Sequence, residues 1–156
     1  LIVVDIFPRD RASSNYGDMT RTYLKGRATP TQRRMVQSVR KAQQLALKTI
    51  RAGVTGAEVH KQVSDYLSSL GYKTEKVGDQ YVGFFHGTGH GLGFDLHEEP
   101  YLSLRFPRPL QVGQCVTVEP GLYYPGLGGC RIEDCVVVTP TGCKLLSRHP
   151  YRWEIP

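Results

Sequence analysis

The sequence has no apolar run long enough to cross a membrane as a helix, and no basic-then-apolar signal segment near its start. It also contains no low-complexity segment and no short repeat. Its 156 residues are enough for one domain with a hydrophobic core. We therefore expect a single domain over residues 1–156 and no membrane partner.

Cysteine is scarce, and its spacing matches no common motif. The four cysteines form neither a CxxC motif nor the dense framework of a small secreted protein; they are Cys115, Cys130, Cys135 and Cys143. Cys130 and Cys135 would point to opposite faces of one straight strand, which disfavours a structural zinc site. The pattern favours small buried thiols in a cytoplasmic protein.

A concentrated basic surface is also missing, although the net charge is +6. Six basic residues are spread along one predicted helix: Arg33, Arg34, Arg40, Lys41, Lys48 and Arg51. They do not alternate with aromatic residues, as basic residues do in many nucleic-acid-binding segments. The exposed face of a helix is the better interpretation, and we expect no nucleic-acid partner.

The hydrophobic pattern that is present indicates an α+β protein. Residues 1–7 and 16–24 resemble two strands joined by a polar loop, which predicts a hairpin. Apolar residues then recur at helical spacing from Pro30 to Gly53, and a second helix follows a capping box of Thr55 and Glu58 and ends at Gly71. Strands are predicted again at 81–86, 114–124, 130–139 and within 139–147. This order is typical of a mainly antiparallel sheet.

Three of the five histidines lie in the segment HGTGHGLGFDLHEEP, residues 86–100. They are His86, His90 and His97, and glycines alternate through the first half of the segment. A helix is disfavoured because each glycine costs about 1 kcal/mol there. Glycine instead allows close approach of the backbone, so we expect an extended or irregular segment that directs imidazoles into a site. Alone, the three histidines would be interpreted as surface or core residues.

Glycines between the predicted strands 114–124 and 130–139 indicate a second hairpin. Each of the two hairpins carries two carboxylates that can face one another. Asp5 and Asp18 lie on the first hairpin, and Glu119 and Glu133 lie across the second. One such acid would be interpreted as a strand end that faces water. Buried unpaired carboxylates are too costly to tolerate, however, so four of them together with His90 favour bound cations. This oxygen-rich ligand set with one nitrogen suits two divalent ions, preferably manganese, with zinc, cobalt or iron as alternatives.

Five motifs occur in one order along nearly the whole chain: VVDIF, YGDMTRT, HGTGHGLGFDLHEEP, TVEPGLYY and RIEDCVVVT. Together they resemble the pita-bread metallopeptidases, which include aminopeptidase P, prolidase and methionine aminopeptidase. The resemblance implies the pita-bread fold, an antiparallel curved sheet with covering helices. It also implies the ligands of two metal ions: Asp5, Asp18, His90, Glu119 and Glu133. Asp18 and Glu133 would bridge both ions. Asp5 would complete the shell of one ion, and His90 with Glu119 that of the other.

The same resemblance implies roles for further residues. His86 and His97 match histidines that contact substrate and stabilise charge in the proline-specific members, and Arg131 matches an arginine that braces the site. His86 would position the residue on the leaving side, and His97 would stabilise the oxyanion. Glu119 would also carry a proton from water to the leaving amine.

The implied activity is hydrolysis of the N-terminal bond of a peptide substrate, before proline. The nucleophile would be a water molecule held between two ions about 3.5–4 Å apart. Methionine aminopeptidase and a non-catalytic pita-bread binding domain are the alternatives. His86 and Arg131 disfavour the first alternative, and the complete set of ligands disfavours the second.

The chain departs from the family in two ways. Phe7 stands where the family usually has glycine, and the loop between Asp5 and Asp18 is slightly longer and carries the charged segment PRDR. Family catalytic domains also have a helix, further strands and a substrate-contacting histidine before the first aspartate, and residues 1–156 contain none of these. We therefore expect a partial metallopeptidase catalytic domain, incomplete at its N-terminus, with an exposed apolar edge near Asp5. We expect it to form a homodimer and to have little peptidase activity alone.

Overall fold

The structure, a computed structural model, describes residues 1–156 and has the predicted α+β organisation. The helices are α1 (Pro30–Thr49) and α2 (Gly56–Ser69). The strands are β1 (Ile2–Ile6), β2 (Met19–Lys25), β3 (Glu75–Val77), β4 (Gln80–Val82), β5 (Gly89–Gly91), β6 (Glu98–Leu102), β7 (Cys115–Val118), β8 (Gly121–Tyr124), β9 (Gly128–Arg131), β10 (Asp134–Val138), β11 (Cys143–Leu145) and β12 (Glu154–Ile155).

The strands form two larger sheets and two ribbons. One sheet has five strands in the order β11-β10-β7-β5-β6, and the other has three in the order β1-β2-β12. The ribbons are β3-β4 and β8-β9. Every pairing is antiparallel except that of β12 with β2. The prediction of a mainly antiparallel sheet is therefore confirmed.

Both helices begin at capping boxes. Thr29 accepts from the backbone of Gln32 at the start of α1, and Thr55 accepts from that of Glu58 at the start of α2, as predicted. Gly53, with a φ of 88°, turns the chain between the two helices. These local signals explain why the helix boundaries follow the sequence pattern closely.

One face of each helix packs into a single hydrophobic core. Val39 of α1 and Val63 of α2 are fully buried, and so are Val116 of β7 and Val136 of β10. Helix α1 contacts α2 and strands β7 to β9, whereas α2 contacts β6. Neither helix combines the length and the hydrophobicity needed to span a bilayer. The helices thus form a layer that supports the strands of the five-stranded sheet and the β8-β9 ribbon.

Several strands differ from the predicted ones. Those predicted at 114–124 and 130–139 are each divided into two, β7 and β8 and then β9 and β10. The strand predicted at 81–86 ends at Val82, because Gly83 has a φ of 87° and leaves the extended conformation. Strand β2 begins at Met19 rather than at Tyr16, which forms only an isolated bridge with Arg9. Strand β12 was not predicted, since two residues carry no periodic signal.

Strand β1 lies at the edge of the three-stranded sheet and exposes apolar side chains. Ile2 is 60% exposed, Val4 41% and Ile6 50%, and the neighbouring Phe7 is 51% exposed. Alternate residues of a strand share one face, so Ile2, Val4 and Ile6 form a continuous apolar strip. The predicted exposed apolar edge near Asp5 is therefore present.

Candidate metal centre

The first hairpin places Asp5 and Asp18 on one face of the sheet. Asp5 lies in β1 directly opposite Thr20 of β2. Asp18 comes two residues before Thr20, and residues two apart point to the same side of an extended chain. Asp5 and Asp18 are therefore diagonal neighbours rather than a directly opposed pair.

Glu119 and Glu133 lie where two ladders of the second hairpin meet. Strands β7 and β10 pair up to Val118 opposite Asp134, and β8 and β9 pair from Gly121 opposite Arg131. The same register carries across the interruption and sets Glu119 opposite Glu133. Strand pairing thus brings Glu119 and Glu133 together.

His90 comes from β5, which pairs with β7. The Thr117 hydroxyl accepts the backbone N–H of His90 at 3.0 Å, and His90 Nδ1 lies 3.0 Å from the carbonyl oxygen of Gly91. A carbonyl can only accept, so Nδ1 carries the hydrogen and Nε2 has a free lone pair. Nε2 lies 3.4 Å from Oε1 of Glu119 and 3.8 Å from Oδ2 of Asp18. The imidazole therefore presents a ligand atom to the carboxylates.

The glycines beside His90 are required by close approach of neighbouring strands. A Cβ atom on Gly89 would lie 1.9 Å from the carbonyl oxygen of Thr117, and one on Gly91 would lie 2.5 Å from that of Glu99. Real Cβ atoms do not make such contacts. The thin backbone of the histidine segment is thus what allows His90 to sit inside the sheet.

Three of the five residues predicted as ligands form a compact cluster. Asp18, His90 and Glu133 are buried, and each offers one ligand atom within 4.8 Å of the others. Glu119 joins this cluster through its contact with His90. Asp5 lies at the more exposed side, where its Oδ2 pairs with Nη2 of Arg131 at 2.5 Å. The structure thus gathers all five residues at the junction of the two hairpins.

The electrostatics of this cluster call for cations. Burial raises the pKa of Asp18 to about 6, and the nearby Asp5 charge adds to the effect. Burial also raises the pKa of Glu119 and of Glu133, and repulsion from other carboxylates at the site raises them further. In addition, Asp18 Oδ1 is buried without a hydrogen-bond partner. Four carboxylate groups and one imidazole nitrogen fit divalent manganese, zinc, cobalt or iron.

Two residues that the sequence did not single out hold the acids in place. The hydroxyl of Thr20 donates to Oε2 of Glu133 at 2.5 Å and accepts from Nε of Arg131 at 3.1 Å. Tyr123 accepts from Nη1 of Arg131 at 3.1 Å. The sequence does indicate a position for Thr20, because it follows Asp18 by two residues and alternate residues of a strand share one face. The pattern of the sequence gave no comparable signal for Tyr123.

A cavity of about 340 Å³ adjoins the cluster. His86 and His97, the residues predicted to contact substrate, line it. Its lining is formed by His86, Gly87, Gly89, His90, His97, Tyr101, Ser103, Glu119 and Arg131. The ring of His97 lies 4.3 Å from that of His90. His86 Nε2 lies 3.2 Å from the hydroxyl of Tyr123, and Nδ1 lies 2.8 Å from the carbonyl of Gly87. Burial lowers the pKa of His86 to about 4, so its ring is neutral near pH 7.

Comparison with known proteins places the chain among peptidases of one family. It is 41% identical over 133 residues to an uncharacterized peptidase of Bacillus subtilis (strain 168), a match that covers 85% of this chain and 35% of that protein. It is 36% identical over 131 residues to an Xaa-Pro dipeptidase of Pyrococcus furiosus, covering 84% of this chain and 35% of that one. The crystal structure of X-Pro aminopeptidase from Thermotoga maritima MSB8 superposes with a TM-score of 0.87 at 32% identity, over 98% of this chain and 40% of that one.

The chain thus spans between a third and two fifths of the length of these relatives. Their structural likeness confirms the predicted pita-bread fold. The model of metallopeptidase family M24 matches residues 1–140, which include all five residues predicted as ligands and both ladders of the second hairpin. The chain belongs to metallopeptidase family M24.

Proposed function

We propose that this protein is a metal-dependent peptidase that hydrolyses the N-terminal bond of peptides whose second residue is proline. The observation that carries the proposal is the buried cluster of Asp18, His90 and Glu133 beside a cavity lined by histidines. Relatives named as an Xaa-Pro dipeptidase and an X-Pro aminopeptidase support the substrate class. We also propose a cytoplasmic location, because the spacing of the four cysteines does not resemble the disulfide framework of a small secreted protein.

The proposed ligands are Asp5, Asp18, His90, Glu119 and Glu133. When bound, two divalent ions, preferably manganese, would lower the pKa of a water molecule and polarise the scissile carbonyl. The protein's contribution is to hold the carboxylates in place: Thr20 binds Glu133, and Arg131 binds Asp5. These contacts orient the acids before any substrate enters.

Glu119 is the proposed proton carrier. Its side chain lines the cavity, with Oε1 3.4 Å from His90 Nε2 and Oε2 4.0 Å from Arg131 Nε. From this position it takes a proton from the attacking water and gives it to the leaving amine. His97 lines the same cavity, and its ring N–H stabilises the negative charge that develops on the carbonyl oxygen.

His86 is proposed to contact the residue on the leaving side of the bond. It lines the cavity, and Tyr123 and the Gly87 carbonyl hold both of its ring nitrogens. The ring is therefore fixed in orientation and offers its edge to the substrate. Arg131 braces this arrangement, because it contacts Tyr123 as well as Asp5 and Thr20.

The test combines manganese binding with substrate choice. Metal-free protein should bind manganese. In the full-length enzyme, His90→Ala should weaken this binding and abolish activity, and His97→Ala should keep most of the binding but have a lower kcat. An Xaa-Pro dipeptide, an Xaa-Pro-Xaa tripeptide and a Met-Ala peptide should then be compared by kcat/KM. Equal loss of metal in both histidine variants would contradict the assigned roles. Faster cleavage of the Met-Ala peptide would instead support the methionine aminopeptidase alternative.

A further inference from the structure

Helix α2 reaches the histidine segment through a side chain that does not line the cavity. His60 Nδ1 lies 3.0 Å from the hydroxyl oxygen of Thr88, which is fully buried. Burial lowers the pKa of His60, so the ring is neutral near pH 7. A neutral imidazole and a hydroxyl can each donate and accept, so this contact forms with either tautomer.

Thr88 is a junction between three parts of the proposed site. It lies in the chain midway between His86 and His90. Its backbone N–H donates to the carbonyl of Leu102 at 2.7 Å, and its own carbonyl accepts the N–H of Glu119 at 2.7 Å. A displacement of Thr88 therefore moves the backbone of Glu119 together with that of the histidine segment.

His60 also supports the segment through an aromatic contact. Its ring centroid lies 5.2 Å from that of Phe84 in a tilted arrangement, and Phe84 lies 5.2 Å from His86 in an edge-to-face arrangement. Contacts of this kind add to the energy of burial and have a preferred geometry. His60 thus has one route to His86 through Phe84, and another to His90 and Glu119 through Thr88.

We infer that His60 is a positioning residue for the metal centre, acting through its hydrogen bond to Thr88. The inference rests on the proposed function and adds to it a residue outside the five family motifs. His60 touches none of the five proposed ligands, so its effect must pass through the backbone of Thr88. Groups of this kind, which orient ligands without binding metal, typically change metal affinity or activity by about 10- to 100-fold when replaced.

The experiment is a double-mutant cycle with manganese affinity of the metal-free protein as its main readout. His60→Leu and Thr88→Val each remove one partner of the bond, and each should weaken manganese binding by about 10-fold. In the full-length enzyme, each should also lower kcat more than it changes KM. The double variant should lose no more than the larger single loss. His60→Asn, whose amide can stand where Nδ1 stands, should recover most of the affinity.

His149→Leu is the matched control, because His149 forms a comparable bond to the hydroxyl of Tyr23 away from the site. It should leave manganese affinity unchanged. Additive losses in the double variant would overturn the inference, and so would losses in His60→Asn equal to those in His60→Leu. If the wild type binds manganese and His90→Ala binds it more weakly, unchanged binding in His60→Leu refutes this inference alone. If the wild type binds no manganese, the proposed function fails and this inference fails with it.

Discussion

Asp18 should destabilise the metal-free protein at neutral pH, and its replacement by asparagine should reverse this. The side chain is 6% exposed, and its Oδ1 has no hydrogen-bond partner. Burial, and then the neighbouring Asp5, raise its pKa from the ordinary value of 3.8 to about 6. Asparagine keeps the shape of the side chain and removes the charge.

The expected magnitude follows from linkage between protonation and folding. A group whose pKa is higher in the folded protein than in the unfolded chain loses stability as pH rises through that interval. Here the loss begins near pH 4, is complete a little above pH 6, and amounts to about 3 kcal/mol. Asp18→Asn should therefore gain less than about 1 kcal/mol at pH 4 and about 3 kcal/mol at pH 7 and above.

The assay is urea unfolding from pH 4 to pH 8 in the presence of a chelator. Asp65→Asn is the control, because Asp65 is an exposed partner of Lys61 on α2 and its replacement should change stability by less than about 0.5 kcal/mol at every pH. Adding manganese should then stabilise the wild type more than Asp18→Asn. A variant less stable than the wild type at pH 8 without metal would refute the reasoning, as would a gain that does not change with pH.

Three other substitutions test the site and the exposed edge. Asp5→Asn should remove the weaker of two manganese-binding steps in a calorimetric titration and spare the stronger one, because Asp5 is the most exposed of the proposed ligands; loss of both steps contradicts this. Thr20→Val should weaken manganese binding by about 10-fold, since Glu133 loses its hydroxyl partner, and Thr20→Ser should restore it. Ile6→Lys places a charge in the apolar strip and should shift the protein from dimer to monomer in light scattering; a wild type that is already monomeric at high concentration contradicts the association.

The proposed ligands could be predicted from the sequence because their positions are set by local rules. Pro120 has no N–H to donate to the ladder, so β7 ends just before Glu119 and leaves its side chain at a strand end. The two-residue alternation places Asp5 and Asp18 on one face once the strands pair. The structure differs from this prediction in one respect: Asp5 and Asp18 are diagonal neighbours rather than a directly opposed pair.

The contacts that hold these ligands could not be predicted in the same way. Tyr123 of β8 meets His86, which lies outside the β8-β9 ribbon, and His60 meets Thr88 only because α2 packs beside β6. Such pairs depend on how separate elements pack, and no spacing along the chain encodes that. The short strands β3 and β12 escaped prediction for a related reason, since elements of two or three residues have no measurable period.

The exposed fraction of the proposed carboxylate ligands increases from Asp18 through Glu119 to Asp5. The side chain of Asp18 is 6% exposed, that of Glu119 is 17% exposed and that of Asp5 is 35% exposed. A buried carboxylate has the most to gain from a cation, because water no longer solvates its charge. The ion completed by His90 and Glu119 should therefore be held more tightly than the ion completed by Asp5, which is the most exposed of the proposed ligands. The packing that makes Asp18 costly in the empty protein should favour metal binding as a whole, because Asp18 is proposed to bridge both ions.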